Sequence, residues 1–284
     1  MHRANSSAEF WIEKRVLCKD WIAFNHNHPK IFLPDDNAMT VRLADVPPVL
    51  LNPSSRWALY FSPDTELGHF GRQWLSHVFE PAAAWTSTPR RYGFHATLKA
   101  PFRLAPGFDS KTLISAVAEW AAEQSPFEVP LSVQWLGDFL ALRPLPGVSV
   151  DMLNRLAASA VERLDGFRAE MSAAERERRV ASPKSPLTAR EHELLDRWGY
   201  PYVFEAFRFH CTLTEFLPSD RKVELFSLAE RTFNRILSKP VPIDQVVLVK
   251  EPAPGANFVR VRSFPMGRPL PGAVDSDCSL EPVA

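Results

Sequence analysis

The sequence predicts an α+β fold of two related halves, each with an antiparallel sheet and helices outside it. The first observation is a pentapeptide, Phe-His-x-Thr-Leu, which occurs at Phe94–Leu98 and again at Phe209–Leu213. The second is that the order strand, helix, motif strand, helix occurs around both copies. A chain of 284 residues with 45% hydrophobic and 23% charged residues is typical of a globular protein of one large domain or two packed lobes.

Alternating and helical hydrophobic patterns define the elements of the first half. A strand is predicted at 56–61, and Asp64 is expected to cap the helix that follows it. After a connection at 81–89, the first motif strand is expected over 91–99. Asp109 is expected to cap a second helix, and residues 127–143 form one or two strands with a turn near Gly137.

The second half repeats this order around an insertion. A helix begins at Ser149 or Asp151, and an insertion at 166–200 contains a capping box that starts at Thr188. The second motif strand follows, then a helix capped by Asp220. The predicted organisation ends with these ranges: strands at 243–250 and 256–264; an N-terminal extension, partly disordered, at 1–50; a domain at 51–265, built of lobes at about 55–125 with 205–265 and at 126–204; and a disordered tail at 266–284.

Side chains that alternate along the two motif strands form two polar ladders. On a strand, successive side chains point to opposite faces, so polar residues two apart share a face while the apolar residues between them face a core. The first ladder contains His95, Thr97 and Lys99. The second contains Arg208, His210, Thr212 and Thr214. If the ladders face each other, they surround one small anion.

Two histidines suit the cleavage or formation of a cyclic phosphodiester. One imidazole takes a proton from the attacking oxygen and the other gives a proton to the leaving oxygen, and an ordinary pKa near 6.5 serves both tasks. Residue types do not tell which histidine is the base. The hydroxyls of Thr97 and Thr212 are expected to hydrogen-bond the non-bridging oxygens.

Four further side chains are predicted to contact the substrate. Lys99 and Arg208 would neutralise phosphate charge. Thr214 shares the ladder face. Tyr92 has the opposite parity to His95, so it reaches the substrate only if the chain turns at Gly93.

The doubled motif resembles the 2H phosphoesterase superfamily, named for two His-x-Thr/Ser motifs. Within it, the sequences Arg-Tyr-Gly-Phe-His-Ala-Thr-Leu-Lys and Phe-Arg-Phe-His-x-Thr-Leu-Thr are similar to a DUF1045-like branch whose genes often lie beside bacterial phosphonate-utilisation genes. The resemblance spans residues 55–265. It implies a bilobal fold with the motif strands flanking a central cleft, and a metal-independent phosphodiesterase for a small cyclic or 2′,5′-linked substrate or a ribosyl phosphodiester of phosphonate metabolism.

Charge and cysteine content narrow the alternatives. Lys and Arg total 33, as do Asp and Glu, so long nucleic acid is not expected as a partner. No cofactor, metal, membrane association or disulfide framework is expected; the predicted protein is a cytoplasmic monomer with a small phosphodiester substrate. An RNA-end-processing phosphoesterase and a non-catalytic nucleotide-binding module remain as alternatives.

Overall fold

A computed structural model describes residues 54–76, 80, 82–182, 185–268 and 281–282. All of these lie in the unit that spans residues 46–284. The predicted extension at 1–50 lies outside the described residues, as does most of the predicted tail at 266–284.

The described residues form seven α-helices and ten short or medium strands. The helices are α1 Glu66–Leu75, α2 Ser87–Tyr92, α3 Ser110–Glu123, α4 Asp151–Arg163, α5 Ala173–Ala181, α6 Ala189–Trp198 and α7 Ser219–Phe233. The strands are β1 Arg56–Phe61, β2 Ala96–Phe102, β3 Phe127–Val129, β4 Leu131–Leu136, β5 Phe139–Pro144, β6 Cys211–Thr212, β7 Val241–Ile243, β8 Gln245–Glu251, β9 Val259–Pro265 and β10 Glu281–Pro282.

Eight strands form one antiparallel sheet in the order β10-β9-β8-β1-β2-β6-β5-β4, and β3 pairs with β7 in a small second sheet. The combination of helices with antiparallel sheets agrees with the prediction, whereas a duplicated arrangement of two sheets flanking a cleft is not confirmed. The strands of the two halves meet in the middle of the large sheet, where β2 pairs with β6 at Ala96 and Cys211. The two motifs therefore lie on adjacent strands of one sheet.

The core lies between one face of this sheet and four helices. On β1, Trp57, Leu59 and Phe61 face the core, which also contains apolar residues of α1, α3, α4 and α7. Ala58 and Tyr60 point to the opposite face. This alternation follows from the two-residue period of a strand, and it separates Ala58 and Tyr60, which pack with Phe258 and Tyr92, from the main core.

The chain enters the first motif differently from the prediction of a strand over 91–99. Arg91 and Tyr92 are the last residues of α2, and β2 begins only at Ala96. Gly93 joins them with φ 74°, a conformation that glycine adopts without the penalty of a side chain. The second motif strand is also shorter than expected, since β6 contains only Cys211 and Thr212.

Two of the predicted helix caps are confirmed and two are wrong. Asp109 forms a capping box with Thr112, and Thr188 forms one with Glu191. Asp64 lies one residue before the actual N-cap of α1, and Asp220 lies in the first turn of α7, after the N-cap. Among the residues described, none of the helices combines the length and apolar composition needed to cross a bilayer.

Gly71 of α1 provides a test of how closely the core supports the first motif. A Cβ atom on Gly71 would lie 2.2 Å from Cγ of Phe94, the buried residue before His95. We expect Gly71→Ala to lower the free energy of unfolding by about 1–3 kcal/mol, because Phe94 must leave its position. Urea denaturation measures the change.

Gly166→Ala is the matched control, because its Cβ atom would meet no atom within 4 Å. That variant should stay within about 0.5 kcal/mol of the parent protein. Equal stability of the two variants would show that Phe94 is not tightly held.

Candidate functional site

The pairing of β2 with β6 brings the two motifs into register. Ala96 lies opposite Cys211, so in an antiparallel pair Thr97 lies opposite His210 and His95 lies opposite Thr212. Side chains directly opposite on one face have Cβ atoms about 4.5–5.5 Å apart. The four predicted catalytic side chains therefore form one cluster on the sheet face away from the core.

His95 is fixed through both ring nitrogens. Nδ1 lies 2.8 Å from the carbonyl oxygen of Gly93, and Nε2 lies 3.1 Å from Oγ1 of Thr97. A carbonyl can only accept, so Nδ1–H donates to Gly93 and Nε2 of the neutral ring carries the lone pair. Burial lowers the pKa of His95 to about 4; the Gly93 carbonyl raises it somewhat and the His210 charge lowers it further.

His210 repeats this arrangement. Its Nδ1 lies 2.7 Å from the carbonyl oxygen of Arg208, again two residues earlier in the chain, so Nε2 is again the atom with the lone pair. Burial lowers the pKa of His210, the Arg208 carbonyl opposes this, and the Arg143 cation lowers it further. Both pKa values therefore lie below the ordinary value expected from sequence, and both histidines are neutral at pH 7 in the free protein.

An aromatic wall lies beside His95. The ring of buried Tyr60 stacks on the imidazole with centroids 3.9 Å apart. Tyr92 lies 6.2 Å from the same imidazole and stacks on Phe258. The turn at Gly93 thus brings Tyr92 to the site, as its predicted substrate contact requires. Tyr60 was missed, because only its pairing with Thr97 on β2 brings it next to His95.

Arg143 is the second residue that sequence reasoning missed. On β5, Ala141 lies opposite Thr212 and Leu142 opposite Cys211, so the next position, Arg143, continues the register toward His210. One terminal nitrogen of Arg143 donates to the carbonyl of Trp135 at 3.1 Å, while its Nε is buried without a hydrogen-bond partner. The sequence shows an arginine within an otherwise apolar strand, which indicates a polar environment, but it does not show which strand pairs with β5.

The other predicted contacts have partners within the protein. Lys99 is 3% exposed, and its ammonium donates to the carbonyl of Val161 at 3.1 Å. Oγ1 of buried Thr214 accepts from the backbone N–H of Leu140 at 3.0 Å, which holds β5 beside the second motif. The substrate-binding roles of Lys99 and Thr214 stay predictions.

Arg208 is exposed on the second motif. Its guanidinium donates to the carbonyl oxygens of Glu205 and Phe207, at 2.8 and 2.7 Å. These bonds hold the side chain along its own loop, and its contact with the substrate stays a prediction. Within the ranges that the structure describes, no three His, Cys, Asp or Glu side chains form a group that could hold a metal ion.

Comparison with known proteins links the site region to one family. The family model described as "Protein of unknown function (DUF1045)" matches residues 97–259, more than half of the chain. This range includes Thr97 and the whole second motif.

Two curated relatives carry the name ribose 1,5-bisphosphate phosphokinase PhnN. The protein from Janthinobacterium sp. (strain Marseille) is 35% identical over 234 residues, which cover 74% of this chain and 51% of that protein. The protein from Laribacter hongkongensis (strain HLHK9) is 34% identical over 218 residues, covering 72% of this chain and 50% of that protein. The chain thus spans about half the length of these relatives.

The coupling between the two histidines is testable by NMR titration of the imidazole protons. We expect His95 to titrate near pH 4. In His210→Gln the pKa of His95 should rise, because the charge that opposes its protonation is gone. Exposed His69 supplies the control: His69→Gln should leave the pKa of His95 unchanged. A His95 pKa near 6.5 in the parent protein would contradict the buried, stacked environment.

Proposed function

The chain belongs to the DUF1045 family, and on this premise we propose that it is a metal-independent phosphodiesterase of the 2H type. Its substrate is a small cyclic or 2′,5′-linked phosphodiester. The observation that carries the proposal is the matched pair of imidazoles. Each donates Nδ1–H to the carbonyl two residues earlier and presents Nε2 as an acceptor on the shared face; in the free protein Nε2 of His95 accepts from the Thr97 hydroxyl, which a substrate must displace.

In the proposed reaction, one of the two histidines is protonated and the other is neutral. A bound phosphodiester anion within about 4–6 Å raises the pKa of both imidazoles, so that one becomes protonated. The neutral Nε2 accepts a proton from water, whose oxygen bonds to phosphorus, and the protonated Nε2 gives its proton to the leaving oxygen as the P–O bond breaks. The two roles exchange in the reverse reaction, and either histidine can be the base.

The groups that stabilise the negative charge developing on the phosphoryl oxygens are Thr97, Thr212 and Arg143. Each threonine lies across the strand pair from the histidine of the other motif. Hydroxyl groups there can donate to the non-bridging oxygens. The buried Nε–H of Arg143, which has no hydrogen-bond partner among the described residues, is a further donor for an oxygen that gains charge.

The name of the two relatives favours a ribose phosphate as substrate. They are named for a kinase that acts on ribose 1,5-bisphosphate. This chain contains no Gly-x-x-x-x-Gly-Lys-Ser/Thr sequence, the loop with which many kinases bind nucleotide phosphates, and it spans only half of each relative. We therefore infer diesterase chemistry for this half, on a ribosyl phosphodiester such as one from phosphonate metabolism.

The test is turnover of a panel of cyclic, 2′,5′-linked and ribosyl phosphodiesters with EDTA present. The parent protein should remain active. His95→Ala and His210→Ala should each lower kcat by about 10²–10⁴-fold with little change in substrate affinity, because each loses one proton-transfer partner. The double variant should be far less impaired than the product of the two single effects.

His69→Ala is the control, because His69 is exposed on α1, and it should keep parental activity. Loss of turnover in EDTA that a divalent metal restores would reject the two-histidine mechanism. A short RNA turned over in preference to all small diesters would favour RNA-end processing.

Arg143→Gln should lower kcat/KM by about 10–100-fold, the effect of losing a charged hydrogen bond of about 1.5–3 kcal/mol. It should also raise the pKa of His210, since the Arg143 cation lowers it in the parent protein. Kinetics and NMR titration measure the two effects. Arg163→Gln, an exposed arginine of α4, is the matched control for both. An unchanged His210 pKa in Arg143→Gln would remove Arg143 from the site.

A further inference from the structure

A cavity lies beside the C-terminal end of β2. It has room for about one water molecule, about 20 Å³, and it is partly open to solvent. The walls come from the end of β2, from Val161 on α4, and from the insertion that contains α5 and α6. The polar side chains that argue for a ligand are Lys99, Arg103, Arg168, Arg179 and Glu175.

Positive charge exceeds negative charge around this cavity. Asp165 accepts from Arg168 at 2.8 Å and lies 3.6 Å from the ammonium of Lys99. Glu175 pairs with Arg179 at 3.1 Å and with Arg103 at 3.3 Å. Four cations thus share two carboxylates. An excess of two positive charges in a partly buried place is costly unless an anion compensates it.

Individual groups in the cavity also lack full compensation. Within the part of the chain that the structure describes, Nε of Arg179 is buried without a hydrogen-bond partner, although another nitrogen of the same guanidinium donates to the carbonyl of Pro101 at 3.0 Å. Burial lowers the pKa of Lys99 to about 8; Asp165 opposes this and Arg168 adds to it. A bound anion would accept a hydrogen bond from the buried Nε–H of Arg179, and it would favour the charged form of Lys99.

The cavity lies next to the proposed catalytic face. Lys99 follows Thr97 by two residues on β2, which places their Cα atoms about 7 Å apart along the strand. Tyr200 lines the cavity under the guanidinium of Arg179, whose carbon lies 5.7 Å from the ring centroid. Burial raises the pKa of Tyr200 to about 12; the Arg179 cation opposes this shift, and Tyr202 and Tyr92 add to it.

We propose that this cavity binds a phosphomonoester dianion, through Lys99, Arg168 and Arg179, and that the substrate carries such a group in addition to its phosphodiester. One phosphoryl oxygen enters the cavity, where the Arg179 Nε–H donates to it, and the rest of the group lies at the open side of the cavity. The dianion matches the excess of two positive charges. The assignment of this group to the substrate rests on the proposed function, whereas anion binding itself does not.

The first experiment measures anion binding separately from the histidines. Inorganic phosphate is titrated calorimetrically at pH 7.5 into His95→Ala/His210→Ala protein, so that the cavity is the site observed. Adding Arg179→Gln or Lys99→Met should raise the dissociation constant at least tenfold. Arg176→Gln is the matched control on the same helix, because its ion pair is with Asp196 on the exposed side, and it should change the constant less than twofold.

The second experiment measures the substrate class. The best diester of the panel is compared with its derivative that carries a terminal phosphate. Arg179→Gln should raise KM for the phosphorylated form about tenfold or more, with little change in kcat, and should leave KM for the unphosphorylated form unchanged. Arg168→Gln, which changes another cation of the cavity, repeats the test if Arg179→Gln fails to fold.

The outcomes separate the two proposals. If phosphate binds and Arg179→Gln loses it while no diester is turned over, the cavity site stands and the proposed function fails. If diesters are turned over but phosphate binds equally to Arg176→Gln and Arg179→Gln proteins, or does not bind saturably, the cavity site is overturned. Binding that depends on Arg179, with equal KM for both substrate forms, overturns its assignment to the substrate.

Discussion

The backbone pairing of Ala96 with Cys211 is the constraint on which the site depends. It joins the strands β10-β9-β8-β1-β2 to the strands β6-β5-β4 in one sheet, and it sets the register of both motifs. A slip of one residue in either strand would turn a histidine toward the helices and an apolar residue toward the site. The burial of Ala96 and Cys211 on the core face opposes such a slip, because it would expose them and bury imidazoles.

Contacts from the first half position the second motif behind this pairing. The indole N–H of Trp74 on α1 donates to the carbonyl of Leu213 at 2.8 Å, and Thr214 holds the N–H of Leu140. The hydroxyl of Ser62 donates to the carbonyl of Phe94 at 3.0 Å. Both motifs are therefore held on rigid elements, which favours the geometric precision that proton transfer requires.

Burial disfavours charge in both proposed binding regions. At the histidines it lowers both pKa values, so that both rings are neutral until an anion arrives. Around the cavity burial also lowers the pKa of Lys99, but among the described residues four cations share two carboxylates, so positive charge stays in excess there. A chain with no net charge can thus carry local fields that favour anions, since net charge describes the whole chain and not a groove.

Local signals in the sequence determined the repeated motifs, the polar faces of His95 and His210, and the capping boxes at Asp109 and Thr188, because each depends on residues a few positions apart. The sequence does not determine how the strands pair into sheets, since this pairing depends on contacts between residues more than a hundred positions apart, such as Ala96 and Cys211. Tyr60 and Arg143 reach the histidines only through the register of β1 and β5 with the motif strands. Burial lowers the pKa of His95, and packing of the insertion against β2 brings the cations of the cavity together. Only the packed tertiary structure decides which side chains lose contact with water and which charges lie side by side.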